Sequence, residues 1–141
     1  MRRILVAVDF SENSARALDL ALELGGRLGV DVHALHGCVL LAHALAEGAH
    51  PEASDFEARV KAEIERQLTA LQASAKGRGV DLVTHRVDGN PAECVLAEAR
   101  RLGADLICLG THGRSGLDRL LLGSIAERVL RLSPVPVLAA H

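Results

Sequence analysis

The chain has no tryptophan, no tyrosine and only two phenylalanines among its 141 residues. Its core must therefore be built from Leu, Val, Ile and Ala, which its 49% hydrophobic content supplies in quantity. Modules that stack nucleic-acid bases on aromatic faces are disfavoured by the same absence. Charge of one sign is missing too. Sixteen Lys and Arg nearly balance 18 Asp and Glu, leaving a formal net charge of −2 with no basic block. Nothing in that balance favours DNA or an anionic membrane as partner. The three cysteines, Cys38, Cys94 and Cys108, are odd in number and form no Cys-x-x-Cys pair, as expected in a reducing, intracellular compartment. No apolar run reaches the roughly 18 residues of a membrane span. The opening "MRRILVAVDF" has too short an apolar stretch for a signal peptide. The expectation is a cytoplasmic protein with one domain over residues 1–141.

What is present alternates. "RILVAVD" (3–9) is a nearly continuous branched apolar run, the mark of a strand buried on both faces. Ser11 offers an N-cap for a helix over 12–28, with Ala17, Ala21, Leu24 and Leu28 on its apolar face. Strands are expected at 30–36, 80–87, 104–110 and 135–140. Pro136 assigns the last of them to a sheet edge. A capping box of Ser54 and Glu57 begins a long helix with Phe56, Val60, Ile64, Leu68 and Leu71 in one stripe. "GNPAE" (89–93) places Asn90 as N-cap and Pro91 at the first position of a helix carrying Ala92, Val95, Leu96, Ala99 and Leu102. A last helix is expected over 124–132, and 37–53 has no readable period. "GVDVHAL", "GVDLVTH" and "GADLICL" repeat a Gly-x-Asp before an apolar run. Each reads as a left-handed glycine ending a helix just before a strand. Helix-to-strand alternation of this kind predicts a parallel α/β sheet with right-handed crossovers.

In such sheets ligands sit at the carboxyl ends of strands, where strand order reverses. Asp9 closes the first strand and Gly110 the fourth. From Gly110 the sequence "GTHGRSGLDRLLLGS" has the spacing Gly110-x2-Gly113-x9-Gly123-Ser124. Gly113 would let backbone N–H groups turn on an anion without a Cβ in the way. Gly123 and Ser124 open a helix whose N-terminus favours negative charge. The result would be a phosphate cradle built from backbone, with no lysine in the Walker position. A second reading makes Gly110, Gly113 and Gly116 turn residues, and Ser124 with Glu127 an ordinary capping box. Spacing alone leaves both readings open.

The G-x2-G-x9-G-S spacing, preceded by "DLICLGTHG" and followed by "IAERVLRLSPVPVL", resembles the nucleotide motif of the universal stress protein family. "ILVAVDFSENSARAL", "ALHG" and "GNPAECVLAEA" extend the resemblance over nearly the whole chain. It implies a Rossmann-like fold of the adenine nucleotide α-hydrolase kind, with five parallel strands in the order 3-2-1-4-5 and helices on both faces. It also implies bound ATP and a homodimer formed by pairing of the last strand, 135–140. Val8 and Asp9 would meet the adenosine end, and Leu109 and Gly110 would line it. Gly37 stands where the family often has a valine that touches adenine through its backbone, so "LHG" departs from the common pattern. Gly113, Arg114, Gly123, Ser124 and Ile125 would surround the phosphates. Mg²⁺ would be held mainly by phosphate oxygens, since the loop offers no carboxylate cluster.

Other constellations carry less. His33, His36, Cys38, His43 and His50 match no zinc spacing, and strand alternation puts His33 and His36 on opposite faces. "THGRS" lacks the second histidine of an adenylyl-transferase HxGH signature. "GRSGL" has the wrong offsets for a Gly-x-Ser-x-Gly elbow. Cys94 and Cys108 read as small buried hydrophobes. His112 lies inside the phosphate loop and is a candidate for function. The sequence reading is an ATP-binding stress-response switch or sensor with at most slow hydrolysis. Its alternatives are an interaction dimer with a vestigial or non-ATP anion site, and a protein that phosphorylates itself through His112 or Ser124.

Overall fold

Ile4, Leu5 and Val6 are consecutive and all fully buried, so the strand that carries them is covered on both faces. The computed structural model describes residues 1–38, 51–112 and 122–141. Within them β1 (Arg3–Ala7), β2 (Asp31–Cys38), β3 (Leu82–Asp88), β4 (Leu106–Gly110) and β5 (Val137–Ala140) form one parallel sheet in the order β3-β2-β1-β4-β5. The helices are α1 (Glu12–Leu28), α2 (Pro51–Gly77), α3 (Pro91–Leu102) and α4 (Ser124–Leu132). On one face Ile4, Val6, Val32 and Ala34 pack with Leu18, Leu22, Ile64 and Leu68 of α1 and α2. On the other, Leu5, Leu35 and Ile107 pack with Val95, Leu96, Ala99 and Val129 of α3 and α4. Each fully buried branched side chain contributes about 1.5–3 kcal/mol, so this double cover substitutes for the missing aromatics.

Helix ends follow the local chemistry. Ser11 caps α1 by accepting the Ser14 N–H at 3.2 Å, and Asn90 caps α3 through the N–H groups of Ala92 and Glu93. The three echoed glycines, Gly29, Gly79 and Gly103, are all left-handed, with φ of 63°, 74° and 61°. Each lies between a helix and the following strand.

Some elements depart from the sequence expectation. Helix α2 begins at Pro51, so Ser54 lies within it and does not start it. Leu28 and Phe56, placed on buried stripes by periodicity, are 55% and 57% exposed; Leu28 is the last residue of α1, and Phe56 lies in the second turn of α2. Leu18 and Leu22 take the core-facing positions of α1 instead. Strand β2 continues to Cys38, with Gly37 opposite Val87 and Cys38 opposite Asp88. Pro136 lies just outside β5, where its carbonyl still accepts the Ile107 N–H at 3.0 Å, and β5 is the edge strand that Pro136 predicts. Cys94 and Cys108 are buried, and burial pushes the Cys108 thiol up to about 12.

Candidate functional site

The strands reverse order between β1 and β4, and a cleft of about 470 Å³ opens at their carboxyl ends. Val8, Asp9, Gly37, Leu109, Gly110, Gly123, Ser124 and Ile125 all line it, joined by His36 and His112. The sequence motif thus comes together in one place from β1, β2, β4 and α4. Gly113 and Arg114, the remaining two candidates, lie outside the described residues.

The β1 side of the cleft is a tight corner. Val8 still donates its N–H to the Leu35 carbonyl at 2.9 Å, as if the strand continued. Asp9 then accepts the Ser11 N–H on Oδ1 at 2.9 Å, an Asx turn that leads straight into the α1 cap. Between them Phe10 has φ of +63°, uncommon for a bulky residue. His36 reaches across from β2, with Nδ1 2.8 Å from the Val8 carbonyl and its ring stacked on Phe10.

The β4 side is built by backbone. Thr111 donates to the Ala140 carbonyl at 2.7 Å, and Gly123 donates to the Thr111 carbonyl at 2.7 Å. Gly123 is thereby held at the end of β4, and it serves as the N-cap of α4 with no side-chain hydrogen bond. Ser124 is the first residue of α4, so the Ser124–Glu127 capping box does not form; the Glu127 N–H bonds the Gly123 carbonyl instead. The caps of α1 and α3 are filled by Ser11 and Asn90, whereas Gly123 offers α4 no side chain and none caps it among the described residues. Beside it, His112 shares a 3.0 Å hydrogen bond with Thr111 through Nδ1. Its buried Nε2 has no partner among the described residues. A buried orphan nitrogen next to an uncapped helix N-terminus fits a ligand bearing anionic oxygens.

The family-level sequence profile described as "Universal stress protein family" matches residues 1–141. The chain belongs to the universal stress protein family. It is 35% identical over 142 residues to universal stress protein YxiE of Bacillus subtilis, covering 96% of each chain. The fold is similar to that of universal stress protein UspA from Lactobacillus plantarum, with a TM-score of 0.86 at 24% identity over 99% of this chain and 97% of that one. It is also similar to a universal stress protein solved in complex with cAMP, with a TM-score of 0.74 at 25% identity, covering 99% and 96%.

This universal stress protein holds a second polar cluster that sequence reasoning missed. His33 of β2 and His85 of β3 stack with ring centroids 5.2 Å apart, and His33 Nδ1 lies 2.9 Å from His85 Nε2. His85 Nδ1 is 3.4 Å from Glu98 on α3, whose carboxylate is paired with Arg101. Burial, then mutual proximity and the charge of Arg3, lowers the His33 pKa below its ordinary value. Burial also lowers His85 despite Glu98. The hydrogen bond to Arg101 lowers Glu98. His33 and His36 do face opposite sides of the sheet, as alternation requires, and His43 and His50 lie outside the described residues. Only the β2–β3 register brings positions 52 residues apart into contact, so no local motif signals this cluster.

Proposed function

We propose that the chain binds ATP in the cleft between β1 and β4, with Mg²⁺ held mainly through the phosphates. In this reading it works in the cytoplasm as a nucleotide-dependent switch or sensor in the stress response. The uncapped N-terminus of α4, held at the end of β4 by the Gly123–Thr111 hydrogen bond, carries the reading. First-turn N–H groups of a helix lack intrahelical partners and face an anion favourably. Ser124 and Ile125 would meet phosphate oxygens there, together with Gly113 and Arg114, and His112 Nε2 would gain a partner. Val8, Asp9, Gly37, Leu109 and Gly110 would hold the adenosine end. The structurally similar protein solved with cAMP supports an adenine nucleotide as the ligand class.

Turnover in this site would be slow. Asp9 is the only carboxylate among the described residues lining the cleft, and its Oδ1 is engaged by the Ser11 N–H. It is placed to orient a ligand and poorly placed to take a proton from water at the phosphate end. A switch also needs an output surface. Among the described residues no strand pairs with the outer edge of β5, and a second copy pairing there around a two-fold axis would satisfy its backbone groups. Denaturing freshly purified protein and identifying any released nucleotide tests the ligand. ATP in the supernatant supports the proposal. A well-folded protein that neither carries nor takes up adenine nucleotide would overturn it.

A further inference from the structure

We infer that His36 is a positioning residue for the proposed nucleotide site: its imidazole straps the β1 corner on which Asp9 is carried. The role rests on the nucleotide reading above, and three observations converge on it.

First, His36 Nδ1 lies 2.8 Å from the Val8 carbonyl. A carbonyl only accepts, so Nδ1 carries the hydrogen and the tautomer is set. Second, Phe10 holds φ of +63°, a conformation that persists in a bulky residue only when its surroundings over-determine it. One side of it is covered by the His36 ring, stacked at a centroid distance of 4.7 Å and 27° between planes, while Phe10 also packs against the α1–α2 face of the core. His36 therefore grips the residue before Asp9 by a hydrogen bond and the residue after it by ring contact. Third, His36 is itself immobilised. It is only 8% exposed, paired in register with Arg86 of β3, and followed by Gly37, whose backbone packs directly against Pro91 of α3. A rigid imidazole thus transfers the position of β2 onto the Val8–Ser11 turn. Without it, Phe10 has reason to relax to negative φ and swing the Asp9 carboxylate away from the cleft.

The test compares His36→Leu, which keeps apolar bulk and donates nothing, with His36→Asn, whose amide can donate from near the Nδ1 position. Mg-ATP affinity is measured by calorimetry, and the backbone amide shifts of Val8–Ser11 are followed by NMR without nucleotide. In the leucine variant binding is expected to weaken about tenfold, as for one buried hydrogen bond lost with its orienting effect, and the corner shifts move. Asparagine recovers most of both. Phe10→Asn added to the leucine variant recovers part of the affinity, because asparagine tolerates the left-handed region. Should the leucine variant fail to fold, His36→Gln replaces it: glutamine reaches the Nε2 position instead, so asparagine must bind more tightly. Parent-like binding and parent-like corner shifts in His36→Leu overturn the strap, as does equal impairment of leucine and asparagine, which indicates packing alone. A parent that binds no nucleotide brings down the proposed function and the strap together, whereas a binding parent with an indifferent leucine variant brings down the strap alone.

Discussion

Gly110 at the end of β4 and Asn13 in the first turn of α1 stand so close that a Cβ on Gly110 would lie 2.8 Å from the Asn13 Cβ and 2.9 Å from the Ser14 nitrogen. The obstacle is mostly backbone, which cannot rotate aside. Gly110→Ala is expected to destabilise the fold by about 1–3 kcal/mol, the usual range for overpacking, as a lowered midpoint in urea. An unchanged midpoint would show that α1 can shift freely. The first glycine of the motif is thus required by helix packing, whatever it also does for a ligand.

Gly37 makes a parallel case on β2. A Cβ there would lie 3.0 Å from the Pro91 Cα and 3.2 Å from the Cys94 Cβ. Gly37→Val should therefore destabilise the chain by about 1–3 kcal/mol, because α3 has settled against the bare backbone. Denaturant unfolding checks this; a stabilised variant would contradict it.

Much of this was legible in the sequence, and the exceptions share a cause. Ser11, Asn90–Pro91 and the left-handed Gly29, Gly79 and Gly103 act within a few residues of chain, so local chemistry announces them. The switch point follows from strand alternation, and eight candidate site residues line the cleft. What stayed hidden depends on contacts between distant segments. The role of Gly37 needs α3 laid on β2, and the His33–His85–Glu98 chain needs the strand register. The strained Phe10 needs His36, 26 positions away. Leu28 and Phe56 share the helical period of the buried stripes yet stay exposed, because period alone does not say which turns of a helix are covered by a neighbour.

The buried histidine pair makes stability depend on pH. Both pKa values are lowered in the folded state, so the unfolded chain binds protons more readily and protonation favours unfolding. The groups facing the pair are Arg3 from β1, Asp31 from β2, and Glu98 and Arg101 from α3. Stability should be at its plateau above the ordinary histidine value of 6.5 and fall as pH drops from there through the lowered folded values. Thermal melts between pH 8 and 5 should show this fall, and His33→Asn should flatten it. An equal fall in parent and variant would place the titration elsewhere.

The proposed pairing of two copies through β5 can be tested apart from folding. Pro136 and Ala140 present their carbonyls to β4; in a parallel strand the N–H and C=O of one residue point the same way, so Ala139 points its N–H outward. Ala139→Pro removes that outward donor and leaves the β4 ladder intact. Sedimentation is expected to give a dimer for the parent and a monomer for the variant at the same concentration. A dimeric variant, or a monomeric parent, would contradict pairing at this edge.

The most direct test of the proposed nucleotide site is a calorimetric titration of Mg-ATP into the parent and Gly123→Val. Gly123 has φ of −62° and ψ of 150°, a conformation valine adopts without strain, so the fold should survive while the added side chain crowds the N-terminus of α4. The account predicts saturable binding to the parent and at least about tenfold weaker binding, roughly 1.4 kcal/mol, to a variant with a parent-like melting temperature. Equal affinity in both proteins, or no binding to a well-folded parent, would contradict it.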